Sequence, residues 1–346
     1  MSRIAREEVF SPDEIAIVHV MNRVVRRCFL LGTDPVSGKN YDHRKVWIED
    51  LLEHFSRCFG IDLLCFAILS NHFHWVLRSR PDVVAIWDDH EVARRWLMLC
   101  PVRKNEDGTP KEPSEAERNA ICNDPARLAE IRRRLSDISW WMRLLCQKVA
   151  TRANAEDDEA GKFWQSRFKA VRLLDEESLL ACAAYVDLNP IRAALAATLE
   201  ESDFTSVQRR IQSLQRSGAA NTDDFLAPLF IDEQAGVLGP CPAADGQRCS
   251  DRGFLPMQLT DYLELLDWTA RQTVASKHES ALAAKPPILD RLAMDTTTWQ
   301  ELVGNFGRLF YHVAGKPQTV DECRGRVNRR RFYVRSRARQ IWTSAA

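Results

Sequence analysis

Residues 63–78 read LLCFAILSNHFHWVLR. The run 62–70 (DLLCFAILS) is short and apolar, which predicts a buried strand. Asn71 is a residue type that turns chains. The next seven residues, HFHWVLR (72–78), alternate and predict a second strand beside the first. Alternate residues of a strand project from the same face. His72 and His74 therefore stand side by side on one face, and Phe73 points to the other. Two adjacent imidazoles suit a divalent cation and leave coordination positions open for phosphate or water. Two partly buried core histidines would show the same spacing, so both readings stand at this point.

Outward from this pair, residues 14–31 are rich in Val and Ile and predict one or two strands around a basic middle. Residues 43–59 place Trp47, Ile48, Leu51, Leu52, Phe55 and Phe59 on a helical stripe, stopped at Gly60. A further helix is expected over 88–99. Residues 100–126 are polar with four prolines and read as an insertion or loop. One long helix is expected over 127–155, and an extended arm with a basic face over 161–174. A helix over 175–187 follows, with Asp175 as N-cap. Pro190 can open a short helix. Residues 216–258 have the Gly, Pro, Ala and Asp content of a linker, and 259–345 read as mainly helical.

The chain has 346 residues, 45% hydrophobic and 28% charged, a globular composition that excludes collagen-like and low-complexity architectures. No apolar run approaches the roughly 18–20 residues that span a bilayer. The first fourteen residues have charge without an apolar core, so neither a secretory signal nor a membrane partner is expected, and a cytoplasmic location is. Ten cysteines contain no C-x-x-C pair, which argues for buried or free thiols in a reducing compartment rather than a zinc site. No G-x-x-x-x-G-K-[ST] sequence is present, so no nucleotide cofactor is expected. The 48 basic and 48 acidic residues balance, yet they are unevenly spread. Eight arginines and no acid lie from Arg324 onward, and Lys162, Arg167, Lys169 and Arg172 fall in an acid-free run. Local patches of this kind matter more for phosphate binding than the total, although a single run is as often a solvated face.

Tyr185 and Asn189 are four apart and share a helix face. A phenolic oxygen is a competent nucleophile on phosphorus once a cation polarises the phosphate. A core tyrosine followed by a helix-ending Asn-Pro is the plainer alternative.

Three ordered blocks, HVMNRVVRRCFLL (19–31), LLCFAILSNHFHWVLR (63–78) and GKFWQSRFKAVRLLDEESLLACAAYVDLNPIRAAL (161–195), together resemble the REP-associated tyrosine transposases. These belong to the single-tyrosine, His-hydrophobic-His superfamily of single-strand transposases. The resemblance implies an α+β fold with a ferredoxin-like or RRM-like antiparallel sheet. It places the domain over 1–215, with a linker over 216–258 and a helical extension with a basic tail over 259–346. It implies Tyr185 as nucleophile and His72, His74 and Asn189 as ligands of a divalent Mg or Mn ion. His19 falls on the first strand as a neighbour of that site. The implied DNA contacts are Arg23, Arg26, Arg27, Lys162, Trp164, Gln165, Arg167, Lys169, Arg172 and Arg192. The implied substrate is single-stranded hairpin DNA, cleaved and rejoined through a 5′-phosphotyrosine link by a homodimer, on nucleoid-associated DNA in a bacterial cytoplasm. Two other functions fit the same residues: a replication-type nicking endonuclease, and a DNA-binding protein that keeps the fold without turnover. The polar insertion and the residues beyond 215 depart from the compact pattern of the family.

Overall fold

The alternation of residues 17–23 and 72–79 builds the centre of a sheet. In the computed structural model, which describes residues 6–217, 224–231, 239–274, 285–327 and 332–344, five strands are present: β1 (Ile17–Arg23), β2 (Ile61–Ile68), β3 (His72–Ser79), β4 (Lys169–Leu173) and β5 (Val313–Ala314). Their order is β2-β3-β1-β4-β5. The first four pair antiparallel, and β5 joins parallel to β4. The class is α+β. The order of the first four strands is that of a ferredoxin-like sheet. The fifth strand, supplied from beyond residue 300, makes the sheet mixed rather than purely antiparallel.

One face of the sheet is an apolar core. Val18, Val20, Phe66, Phe73, Trp75 and Leu77 pack there with Ile48, Leu52 and Phe55 of helix His43–Cys58 and with Trp141, Met142 and Leu145 of helix Ile138–Asp157. The other face carries Leu64, Ala67, Val76, Val171 and Leu173 against helices Glu176–Asp187, Leu259–Val274 and Thr296–Leu309. The C-terminal helices therefore complete the second face of the sheet and share one core with it. The described part of the expected linker is packed as well. Arg78 donates to the carbonyls of Gly253 and Arg252, and Ser250 donates to the buried Asp62 carboxylate.

The expected helix over 127–155 is two helices, Pro125–Leu135 and Ile138–Asp157. Asp137 breaks it: its carboxylate accepts from the Ser139 amide at 2.7 Å and starts the second helix afresh. The polar stretch 100–126 contains a helix, Glu115–Cys122, opened by a reciprocal capping box between Ser114 and Glu117. The arm over 161–174 is a strand only from Lys169 to Leu173. The short helix after Pro190 covers only Asn189–Arg192. All ten cysteines are free thiols. Among the described residues no helix is long and apolar enough to cross a membrane.

Candidate functional site

Strand pairing sets the site. In the β1–β3 register Met21 faces His74 and Arg23 faces His72. Residues 19, 21 and 23 thus share a sheet face with 72 and 74. The His72 and His74 rings lie 5.0 Å apart, and the His19 ring lies edge to edge with His74, centroids 5.1 Å apart and planes within 7°. Helix Glu176–Asp187 crosses this face. Its start is fixed by Asp175, whose side chain accepts from the Ser178 amide. Its end is fixed by Asp187, fully buried, which accepts from the Val207 amide at 3.1 Å and the Tyr262 hydroxyl at 2.7 Å. Held at both ends, the helix presents Tyr185 edge-on to His74 at 5.3 Å and to His19 at 5.9 Å.

Each histidine of the pair is tied through Nδ1. Asn71 Nδ2 donates to the Arg27 carbonyl at 3.3 Å, which turns Asn71 Oδ1 toward His72 Nδ1 at 2.7 Å. His74 Nδ1 lies 2.9 Å from His19 Nε2. Much of the site is buried: His74 is 2% exposed, His19 5% and Asn189 9%, while His72 and Tyr185 are half-buried. Burial pushes His19 down to about 4. Burial, with the Arg23 charge, does the same to His72. His74 is pushed well below the ordinary imidazole range by burial and by the neighbouring His19, His72, Arg23 and Arg192. All three are neutral at pH 7, the form in which imidazole ligates a metal. Tyr185 is pushed up by burial, with Arg192 acting the other way, so the phenol is protonated at rest.

Two buried polar atoms here have no hydrogen-bond partner: His74 Nε2 and Asn189 Nδ2. An unpartnered imidazole nitrogen beside a second imidazole fits a divalent cation if it carries a lone pair, whereas the Asn189 Nδ2 is a donor and does not. Among the described residues no three His, Cys, Asp or Glu side chains form a metal-binding group. The residues that could hold such an ion are His72 and His74, with the Asn189 amide oxygen as the expected third ligand.

Helix Thr296–Leu309 covers the phenol. Phe306 stacks on Tyr185 at 5.7 Å and meets His19 edge-on at 5.9 Å. Gly307 lies so close that a Cβ there would stand 3.1 Å from the Tyr185 hydroxyl. Arg192 lies 5.0 Å over the Tyr185 ring and donates to the Gly304 carbonyl of the same covering helix. Of the expected DNA contacts, Arg192 is thus a half-buried neighbour of the phenol, and Arg172 is paired with Glu14. Trp164 is an anchor: it meets Phe73 edge-on, and its Nε1 donates to the Cys146 carbonyl at 2.8 Å. Arg23, Gln165, Arg167 and Lys169 line one groove at the end of β1, in which the Arg23 Nε is buried without a partner. Arg26, Arg27, Lys162, Arg167 and Lys169 are exposed, and among the described residues no carboxylate pairs with them. The tail differs. Arg324 and Arg339 pair with Asp321, Arg337 pairs with Glu301, and Arg335 donates to the Arg308 carbonyl. Arg329, Arg330 and Arg331 lie outside the described residues.

Sequence reasoning missed Asn71 as a tether, Asp187 as an anchor, and Phe306 and Gly307 as a cover. Asp187 alone carried a signal, as the acid at the end of an otherwise apolar stretch.

No family model and no curated protein matches the chain. The chain is similar to a solved structure of a REP-associated tyrosine transposase bound to a REP hairpin. The identity is 12% over 61% of this chain and 86% of that chain, with a TM-score of 0.36.

Proposed function

We propose that the protein binds single-stranded hairpin DNA and breaks and rejoins it through Tyr185. The observation that carries this reading is the meeting of Tyr185, from helix Glu176–Asp187, with the β3 pair His72 and His74, whose buried His74 Nε2 has no partner. The motif resemblance of residues 19–31, 63–78 and 161–195 supports it. In this reading His72, His74 and Asn189 hold Mg or Mn. When bound, that ion supplies positive charge at a non-bridging phosphate oxygen as phosphorus becomes five-coordinate. Tyr185 Oη attacks in line, forming a bond to phosphorus while the bond to the 3′ oxygen breaks. The phenolic proton passes to water, and the leaving oxygen takes a proton from water to become a 3′-OH. The 5′ end stays on Tyr185, so bond energy is retained and the 3′-OH can later reverse the step. Arg23, Gln165, Arg167 and Lys169 steer the flanking strand. The protein acts as a dimer.

The conformation described here is closed. Tyr185 reaches phosphate only after helix Thr296–Leu309 withdraws, and that movement also rehydrates the phenol and eases its ionisation. The same cover favours a second reading, a DNA-binding protein without turnover. One assay separates them. Purified protein is incubated with labelled single-stranded hairpins in Mn or Mg and in EDTA, and covalent adducts are scored on a denaturing gel. A metal-dependent adduct, absent in Tyr185→Phe, is expected. Binding without adduct in every metal supports the second reading and overturns the first.

A further inference from the structure

We propose that Asn71 and His19 are positioning residues that set the tautomers of His72 and His74, so that both Nε2 lone pairs face one cation. This rests on the metal site proposed above. Asn71 is held on the β2–β3 turn beside His72. Its Nδ2 donates to the Arg27 carbonyl, so its orientation is fixed and its Oδ1 is what faces His72 Nδ1 at 2.7 Å. A carbonyl oxygen only accepts. The proton on the neutral His72 ring is therefore on Nδ1, and Nε2 is bare.

The His74 ring obeys the same logic through a different partner. A single proton lies between His74 Nδ1 and His19 Nε2, which are 2.9 Å apart. If His19 holds it, the neutral His74 ring carries its own proton on Nε2. That buried N–H then has no acceptor. If His74 Nδ1 holds it, Nε2 presents a lone pair that a cation satisfies. Only the second arrangement makes His74 a ligand, and it requires His19 Nε2 to be the acceptor. The two rings lie within 7° of parallel with centroids 5.1 Å apart, so the bond runs edge to edge in the plane of both. The two tethers come from separate elements, the β2–β3 turn and β1. Each therefore orients one ligand independently, as outer partners of metal-bound imidazoles do.

The test is Mn2+ binding to the full chain without DNA, read by isothermal titration calorimetry and by loss of the free-Mn2+ electron paramagnetic resonance signal. Circular dichroism melts confirm that each variant is folded. His19→Phe keeps a ring but no acceptor, and Asn71→Ala removes the tether at a half-exposed site. Each is expected to weaken Mn2+ binding about 10–100-fold. His19→Gln, whose Oε1 replaces the accepting nitrogen, is expected to restore most of the affinity. Parental affinity in folded His19→Phe and Asn71→Ala overturns the inference. So does a His19→Gln variant as weak as His19→Phe. A parent protein that binds no Mn2+ overturns the metal reading itself, a different result from unchanged variants of a parent that binds.

Discussion

The two faces of β3 use one alternating pattern for opposite ends. Phe73, Trp75 and Leu77 enter a core with no exposure at all, where volume and fit dominate, although the Trp75 indole nitrogen is buried there without a partner. His72 and His74, one residue out of phase, enter a seam in which both Nδ1 atoms have a partner and the buried His74 Nε2 has none. The first face specifies the fold, and the second is tolerated because tethers and a covering helix surround it. Burial alone does not separate the faces, since His74 is nearly as buried as Trp75. Both also leave one ring nitrogen without a partner, and the difference is chemical: the Trp75 indole nitrogen can only donate, whereas an imidazole nitrogen can also present a lone pair.

That contrast can be broken by substitution on each side. Trp75→Ala is expected to cost about 3–5 kcal/mol of stability, as large-to-small changes in a packed core do. His74→Ala is expected to cost about 1–2 kcal/mol, the scale of one lost buried hydrogen-bond partner. Chemical denaturation of both variants checks this, and equal losses would erase the distinction between the faces. Phe306→Ala removes the ring stacked on Tyr185 and also lowers stability by about 3 kcal/mol. It is nevertheless expected to raise adduct formation with hairpin DNA, because it loosens the cover. A fall in adduct proportional to the fall in folded protein would show that the helix is only structural.

Acid sharpens the same comparison. His19 and His72 are held near 4 in the folded chain, below the ordinary value of 6.5. Between these values the unfolded chain binds more protons, so stability rises with pH across that window. The contribution is complete above about pH 6.5 and is lost as pH falls toward 4, about 3 kcal/mol per imidazole. Denaturation midpoints measured from pH 7 to pH 4.5 check this, and His19→Phe should flatten the dependence. The smallest expected effect separates the arm from the tail. Arg167→Ala is expected to weaken DNA binding and reduce the log–log salt slope by about 1. Arg337→Ala, whose guanidinium is already paired with Glu301, is expected to leave that slope unchanged.

Much of this was legible from local pattern. The β2–β3 pair, the helix start at Asp175 and the shared face of His72 and His74 follow from periodicities of 2 and 3.6. What escaped was long-range. Arg172 and Arg192 read as free cations because Glu14 and the Gly304 carbonyl lie far away in sequence. Phe306 and Gly307 belong to a helix with an ordinary apolar stripe, and nothing in that stripe announces a tyrosine beneath it. The break at Asp137 was readable in principle, since a cap residue stood at the junction, but the apolar period runs through it.

The central claim is that Tyr185 becomes joined to DNA. The most direct measurement is mass spectrometry of the tryptic peptide 173–192 after reaction with hairpin DNA and Mn2+, followed by nuclease trimming. The account predicts a nucleotide-phosphate mass addition on that peptide, localised to Tyr185 by fragmentation and absent with EDTA. An unmodified peptide 173–192, or an addition on another residue, would contradict it.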